Sequence, residues 1–236
     1  MAWHELPRNE ADTVRPPRVE RKQMKALDTE GAAALLEAAR DTTLFIPVLL
    51  GITTGIRRGE ATALRWRHVD LDRGQISIEE SAEQTRTGVR YKPPKSGKGR
   101  AVALPATVVK ELRNHRIKQA QALLKFGIRL SDDNFVVAQA DGSAFQPRSL
   151  THSFALFVAE HKLPRVRLHD LRHTHATAML KSRVHPKVVQ ERLGHSTIAI
   201  TLDIYSHVLE GMQEDAAEIV DAALQAALNR RRNEIG

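Results

Sequence analysis

The 236-residue chain contains no cysteine. That excludes a disulfide scaffold, a thiolate zinc site and a thiol nucleophile. Aromatic residues are scarce at 4%, so the core must be built from Ala, Leu, Val and Ile, and the two tyrosines, Tyr91 and Tyr205, each merit inspection. No apolar run approaches the ~18 residues of a membrane span, and the first residues lack the apolar stretch of a signal peptide. The expectation is a cytoplasmic protein with no membrane partner. What the chain does have is ordinary globular patterning, 42% hydrophobic and 27% charged, with Lys and Arg in excess to a net charge of +8. A basic surface favours polyanions, and nucleic acid first among them.

Three prolines among mixed charges, Pro7, Pro16 and Pro17, mark residues 1–24 as a linker or tail. An Ala/Leu-rich helix is predicted from Asp28 to Arg40. A second, capped by Thr42 or Thr43, carries Leu44, Phe45, Val48, Leu49 and Ile52 until Gly55 stops it, and a short third covers 58–64. The period then changes to two. Strands are expected at 75–80, 89–92 and 100–104, with turn chemistry at 85–88 and 96–99, so a small three-stranded antiparallel sheet should sit on a helical body. Further helices are predicted at 106–126, 147–160, 170–181, 186–193, 197–207 and 212–229, with an extended piece at 135–138. The last helix aligns Ala216, Ile219, Val220, Ala223, Leu224 and Ala227 on one stripe, while Glu214, Asp215, Glu218 and Asp221 make it acidic. It can pack on its own domain or dock on a neighbouring copy. The fold class is mainly α (α+β), divided as a tail at 1–24, a catalytic unit at 25–210 and a C-terminal amphipathic helix at 211–236.

Four strings carry candidate chemistry. In Thr54-Gly55-Ile56-Arg57-Arg58-Gly59-Glu60 an arginine follows a helix-stopping glycine, and a carboxylate three residues on can orient it. A guanidinium held there can give two parallel donors to a phosphate. In Lys92-Pro93-Pro94-Lys95-Ser96-Gly97-Lys98-Gly99-Arg100 a hairpin turn presents cations: Lys92, Lys95, Lys98 and Arg100 suit backbone phosphates, and one ammonium can also protonate a leaving oxygen. In His169-Asp170-Leu171-Arg172-His173-Thr174-His175 residues three apart share a helical face, pairing His169 with Arg172. The i, i+4 spacing of His169 and His173 also suits a zinc helix, but no third ligand is evident and Arg172 would repel a cation, so no metal is expected. The fourth string, Leu193-Gly194-His195-Ser196, leads to Tyr205-Ser206-His207-Val208.

Together the four strings resemble the tyrosine recombinase (phage integrase) family, in the order Arg, Lys, His-x-x-Arg, Leu-Gly-His, Tyr, over roughly residues 26 to 228. The resemblance implies the tyrosine recombinase catalytic fold, with Arg57, Lys95, His169, Arg172 and His195 around the nucleophile Tyr205 and Glu60 in support. Lys98 lies on the same turn and competes with Lys95 for its place. It further implies site-specific recombination of double-stranded DNA through a 3′-phosphotyrosyl intermediate and a Holliday junction, without ATP, metal or other cofactor. A homotetramer on DNA joined by the C-terminal helix, DNA-bending accessory proteins and a nucleoid-associated location are implied as well. Family members usually carry a core-binding domain ahead of the catalytic one, and 24 mostly polar residues cannot supply it. Two rival readings share the constellation: a catalytically idle DNA-binding remnant, and nicking and relaxation of the type IB topoisomerase kind.

The residue types make physical sense. A free tyrosine has a pKa of about 10, so near neutrality only ~1 in 10³ is phenolate, a handicap of roughly 4 kcal/mol. Two arginines gripping a phosphodiester would stabilise charge growing on phosphorus. His169 could accept or relay the tyrosine proton, His195 could donate to a phosphate oxygen, and Lys95 could protonate the departing 5′ oxygen. A phosphotyrosine bond, unlike hydrolysis, keeps the energy of the phosphodiester for rejoining. Arg65, Arg67, Arg148 and Arg165 are further candidates for contacts to DNA.

Overall fold

The computed structural model describes residues 25–94, 97, 99–205 and 212–235. The tail at 1–24 and the end of the helix expected at 197–207 lie outside the described residues. Asp28 caps the first helix, α1 (Thr29–Ala39), by accepting from the Gly31 N–H at 2.8 Å. Thr42 bridges to the next, its Oγ1 donating to the Ala39 carbonyl and accepting from the Leu44 N–H. Helix α2 (Phe45–Thr54) is buried along most of its length and ends at Gly55, whose φ of 65° is the left-handed conformation that glycine adopts without a Cβ penalty. Helix α3 (Arg58–Ala63) follows at once.

The β region differs in plan from the expectation. Among the described residues there are five short strands: β1 (Val69–Asp70), β2 (Gln75–Ile78), β3 (Ser81–Gln84), β4 (Val89–Lys92) and β5 (Arg100–Ala103). The three-stranded antiparallel sheet has the order β1-β2-β5, and the strand at 89–92 pairs instead with β3 in a separate two-stranded hairpin. Ser-Ala-Glu-Gln has no β-branched residue to announce a strand. Its pairing is stabilised by cross-strand charge, with Glu83 accepting from Arg90 at 2.9 Å and Lys92 at 2.8 Å.

The remaining elements are α4 (Ala106–Leu124), α5 (Pro147–Glu160), α6 (Asp170–Lys181), α7 (Pro186–Leu193), α8 (Ile198–Tyr205) and α9 (Met212–Ile235). One core joins α2, α3 and α4 to the three-stranded sheet through Leu50, Trp66, Ile76, Val102 and Leu112. A second packs α1 and α2 on α5 and α6 through Leu35, Val48, Phe154 and Leu171. A third, smaller one joins α6, α7 and α8 through Ala176, Leu180, Val189, Leu193 and Tyr205. Helix α6 belongs to both of the last two, so it fixes α8 relative to α2. Helix α9 leaves Ile219, Val220, Leu224 and Leu228 exposed. Among the described residues no helix is long and apolar enough to cross a membrane.

Candidate active site

The cationic centre is built on two helix ends. The C-termini of α2 and α7 point their last carbonyls at one region, and a helix C-terminus carries partial negative charge that attracts cations. Arg172 donates to the Gly55 carbonyl and to the Leu193 carbonyl, both at 2.7 Å. Arg57 donates to the Gly194 carbonyl at 2.8 Å. Arg192 donates to the carbonyls of Thr53 at 3.0 Å and Ala103 at 2.9 Å, and Arg100 to the carbonyl of Arg192 at 3.0 Å. Four arginines are thus gathered by the orphan acceptors of two helices. Gly194, with φ 66°, makes the turn that exposes the α7 carbonyls.

One buried carboxylate organises the same cluster. Glu60, 1% exposed, accepts from the Arg57 guanidinium at 2.8 Å and from the Arg57 backbone N–H at 2.9 Å. Its two oxygens also accept a fork from Arg100, at 2.9 and 2.7 Å. Burial would raise the Glu60 carboxyl, but the bonds and charge of Arg100, joined by those of Arg57, outweigh it and hold it at about 2. Arg100, expected to lie on a DNA phosphate, is therefore turned inward. Lys92, expected there too, is paired with Glu83, while Arg148 and Arg165 are exposed. Lys95 and Lys98 lie outside the described residues. Arg65 sits over the Phe135 ring and Arg67 pairs with Asp133.

The histidines and Tyr205 close the site. His169 caps the start of α6 at the surface, and its ring meets that of His173 edge-on at 5.0 Å between centroids. His195, directly after Gly194, places Nδ1 2.9 Å from Thr201 Oγ1 of α8. Tyr205 is 1% exposed, and its hydroxyl lies 2.8 Å from His173 Nδ1. Burial pushes this phenol up to about 12 against the pull of Arg172. Burial likewise lowers Arg172 to about 9, with Arg57 adding to the effect, and leaves it a cation near neutrality. His173 and His195 are each lowered to about 4, first by burial, then by His169 for the former and by Arg172 for the latter.

His175 is in a single tautomer. Its Nδ1, 2.9 Å from the Ile52 carbonyl, must donate, and its Nε2 must then accept from Arg192 Nε at 3.0 Å. Burial, with Arg192 next, lowers it to about 4. Arg192, His175 and His173 were not singled out from sequence as members of the centre. His173 and His175 stand in the same string as Arg172, and Arg192 immediately precedes the Leu-Gly-His string, so adjacency was the signal available.

With this geometry in view, the comparisons with known proteins are direct. A profile of the phage integrase family matches residues 19–212. The chain belongs to that family. It is 27% identical over 212 residues to the tyrosine recombinase XerC-like protein of Caldanaerobacter subterraneus subsp. tengcongensis, covering 84% of this chain and 54% of that one. It is 26% identical over 228 residues to the ICEBs1 integrase of Bacillus subtilis, covering 94% and 62%. The chain therefore spans little more than half the length of these curated relatives. Among solved structures, the Tn1549 transposon integrase in complex with circular intermediate DNA matches with a TM-score of 0.72 at 20% identity, over 85% of this chain and 68% of that one. The catalytic domain of bacteriophage HP1 integrase matches with a TM-score of 0.54 at 21% identity, over 83% and 94%. The fold is that of tyrosine recombinase catalytic domains.

Proposed function

We propose that this chain cleaves and rejoins DNA strands at specific sites as the catalytic unit of a tyrosine recombinase, spanning residues 25–210. The observation that carries the reading is the convergence of Arg57 and Arg172 on consecutive carbonyls, Gly194 and Leu193, of the α7 end that His195 directly follows. Each guanidinium keeps N–H groups beyond those bonds, enough to grip the non-bridging oxygens of one phosphodiester. Tyr205 is the nucleophile, and its attack on phosphorus yields a 3′-phosphotyrosyl bond and a free 5′ hydroxyl. His195 donates to a phosphate oxygen, His169 lies at the rim to relay protons to solvent, and Lys95, which follows β4 in the chain, protonates the 5′ oxygen. Attack by a phenol on a phosphodiester held this way calls for neither ATP nor a metal.

Double-stranded DNA is the substrate, in keeping with relatives named as recombinases and integrases and with neighbours solved on DNA. Two pairs of strand exchanges require four active sites, and the exposed stripe of α9 is the surface on which a neighbouring copy docks in a tetramer. Accessory proteins that bend the DNA would supply the remaining geometry.

A nicked suicide duplex carrying a candidate attachment site tests the reading. Cleavage should trap a protein–DNA adduct on a denaturing gel, absent from Tyr205→Phe. No adduct with the cognate site would make the chain a DNA-binding remnant, whereas relaxation of supercoiled plasmid lacking any site would make it a topoisomerase-like nickase.

A further inference from the structure

We propose that His173 is the proton partner of Tyr205: it takes the hydroxyl proton as the tyrosine attacks and returns it when the strand is rejoined. The inference rests on the reading of Tyr205 as the nucleophile and assigns to another side chain the role first expected of His169. A proton acceptor must lie within hydrogen-bond reach of the proton it takes, about 2.6–3.2 Å between heavy atoms. His173 Nδ1 meets that condition at 2.8 Å from the Tyr205 hydroxyl. His169 stands behind it, meeting the His173 ring edge-on, and His195 turns its Nδ1 to Thr201.

The placement follows from the helix that carries both residues. Arg172 and His173 are consecutive on α6, so they point about 100° apart around its axis. The first reaches the ends of α2 and α7, and the second faces α8. One rigid element therefore sets the phosphate-binding cation and the proton acceptor in fixed relation. Thr174, next in line, ties α6 to the residue ahead of α1 by accepting from the Leu27 N–H at 3.0 Å.

The step balances without a further reagent. A lone pair of the Tyr205 oxygen forms the bond to phosphorus, the hydroxyl proton moves to His173 Nδ1, and the electron pair of the P–O5′ bond leaves with the 5′ oxygen. That oxygen takes a proton from Lys95 or from solvent. On rejoining, a 5′ hydroxyl attacks phosphorus, the phosphotyrosyl bond breaks, and the imidazolium returns its proton to the tyrosine. In the resting site the two groups are far from exchanging a proton, the phenol near 12 and the imidazole near 4. The mismatch closes as the reaction proceeds, because a phenolic oxygen bonding to phosphorus becomes strongly acidic. A weakly basic imidazole then suffices, and its conjugate acid is strong enough to protonate the departing tyrosine. The charged and titratable groups around His173 are His169, Asp170, Arg167 and Arg172 from α6 and the turn before it, Tyr205 from α8 and His195 from the α7–α8 turn.

The test uses the whole chain and the nicked suicide duplex, in single turnover, with the ordinary phosphodiester and with sulfur in place of the bridging 5′ oxygen. His173→Asn puts an amide oxygen near the place of Nδ1, so it can still accept from Tyr205 but cannot take the proton. His173→Ala removes both functions. Both variants should form adduct at least about 10²-fold more slowly, with duplex binding and thermal unfolding near wild type for His173→Asn. Added imidazole should partly restore His173→Ala. The sulfur substrate, whose leaving group needs no acid, should restore Lys95→Ala but neither His173 variant. Wild-type rates in His173→Asn would reduce the contact to a positioning role, faster cleavage would make it a restraint on Tyr205, and restoration by sulfur would place His173 on the leaving group; each overturns the proposal. If the wild-type chain gives no adduct, or Tyr205→Phe still gives one, the reading of Tyr205 itself fails first.

Discussion

Arg57 and Arg172 bond to consecutive carbonyl oxygens, those of Gly194 and Leu193, at 2.8 and 2.7 Å. Residues 115 positions apart in the chain are thereby held side by side by a single turn of backbone. Like charges at such spacing repel, and burial adds to the cost. The helix ends of α2 and α7 and the carboxylate of Glu60 offset that cost before any DNA arrives. Four guanidinium groups against one carboxylate leave the centre with net positive charge, which suits the phosphodiester proposed as its ligand.

Replacing Arg172 by lysine should test the forked geometry. An ammonium cannot reach Gly55 and Leu193 together and still present two parallel donors to phosphate. Single-turnover adduct formation should drop about 10²–10³-fold, the range for losing one preorganised donor at a reacting oxyanion. Thermal unfolding should fall as well, because one buried carbonyl loses its partner at about 1–3 kcal/mol. Unchanged cleavage in Arg172→Lys would show that the charge matters and the fork does not.

Arg100→Gln should destabilise the fold through Glu60. Removing one partner from a buried ion pair typically costs about 3–5 kcal/mol, visible as a lower urea midpoint. The pH dependence follows from the same carboxylate. Glu60 is lowered from 4.5 to about 2, so its stabilisation is fully present above pH 4.5 and is lost as pH falls toward 2. The difference is worth about 3 kcal/mol. In Arg100→Gln the Glu60 carboxyl should move back up toward its free value, so the acid-side loss should shrink, and the double variant Arg100→Gln, Glu60→Gln should remove it.

The buried His173 and His175 and the half-buried His195 predict a second, earlier acid transition. His173, His175 and His195 are lowered from 6.5 to about 4. Between those values the unfolded chain binds protons that the folded chain refuses, so stability is greatest above pH 6.5 and declines as pH falls toward 4. Unfolding midpoints measured from pH 7.5 to 4.5 should decrease steadily. His175→Gln should flatten the slope by its share, since His175 is neutral by construction of its two bonds.

Gly55→Ala should damage both stability and the site. Its φ of 65° is costly for any other residue, and an added Cβ would lie 2.6 Å from Leu193 Cδ2 and 2.9 Å from His175 Cδ2. A loss of about 2 kcal/mol would lower Tm by roughly 4–8 °C in a chain of this size. Because Gly55 also supplies an acceptor to Arg172, cleavage should fall in parallel. A variant that melts normally would show that the α2 end is more pliable than its packing implies.

Helices were legible where punctuation was strong. Asp28 and Gly55 bounded α1 and α2, and Pro147 and Pro186 opened α5 and α7 where the structure has them. The β3 strand was not legible, because Ser81–Gln84 owes its conformation to cross-strand partners. Arg100 could be seen as basic but not as inward-facing, since its direction depends on Glu60, 40 positions away. The same holds for His173, whose place in the string His169–His175 suggested a metal pair and whose actual neighbour is a tyrosine 32 residues on.

Local chemistry, written in the order of residues, carried the element types, the inventory of reactive side chains and the family resemblance, because caps, turns and motif spacing are short-range. Which cations turn to the helix-end carbonyls, which forks onto Glu60, and which histidine meets Tyr205 were decided by packing. Those assignments depend on where the ends of α2 and α7 meet, and that junction exists only when the two hydrophobic clusters that share α6 have closed.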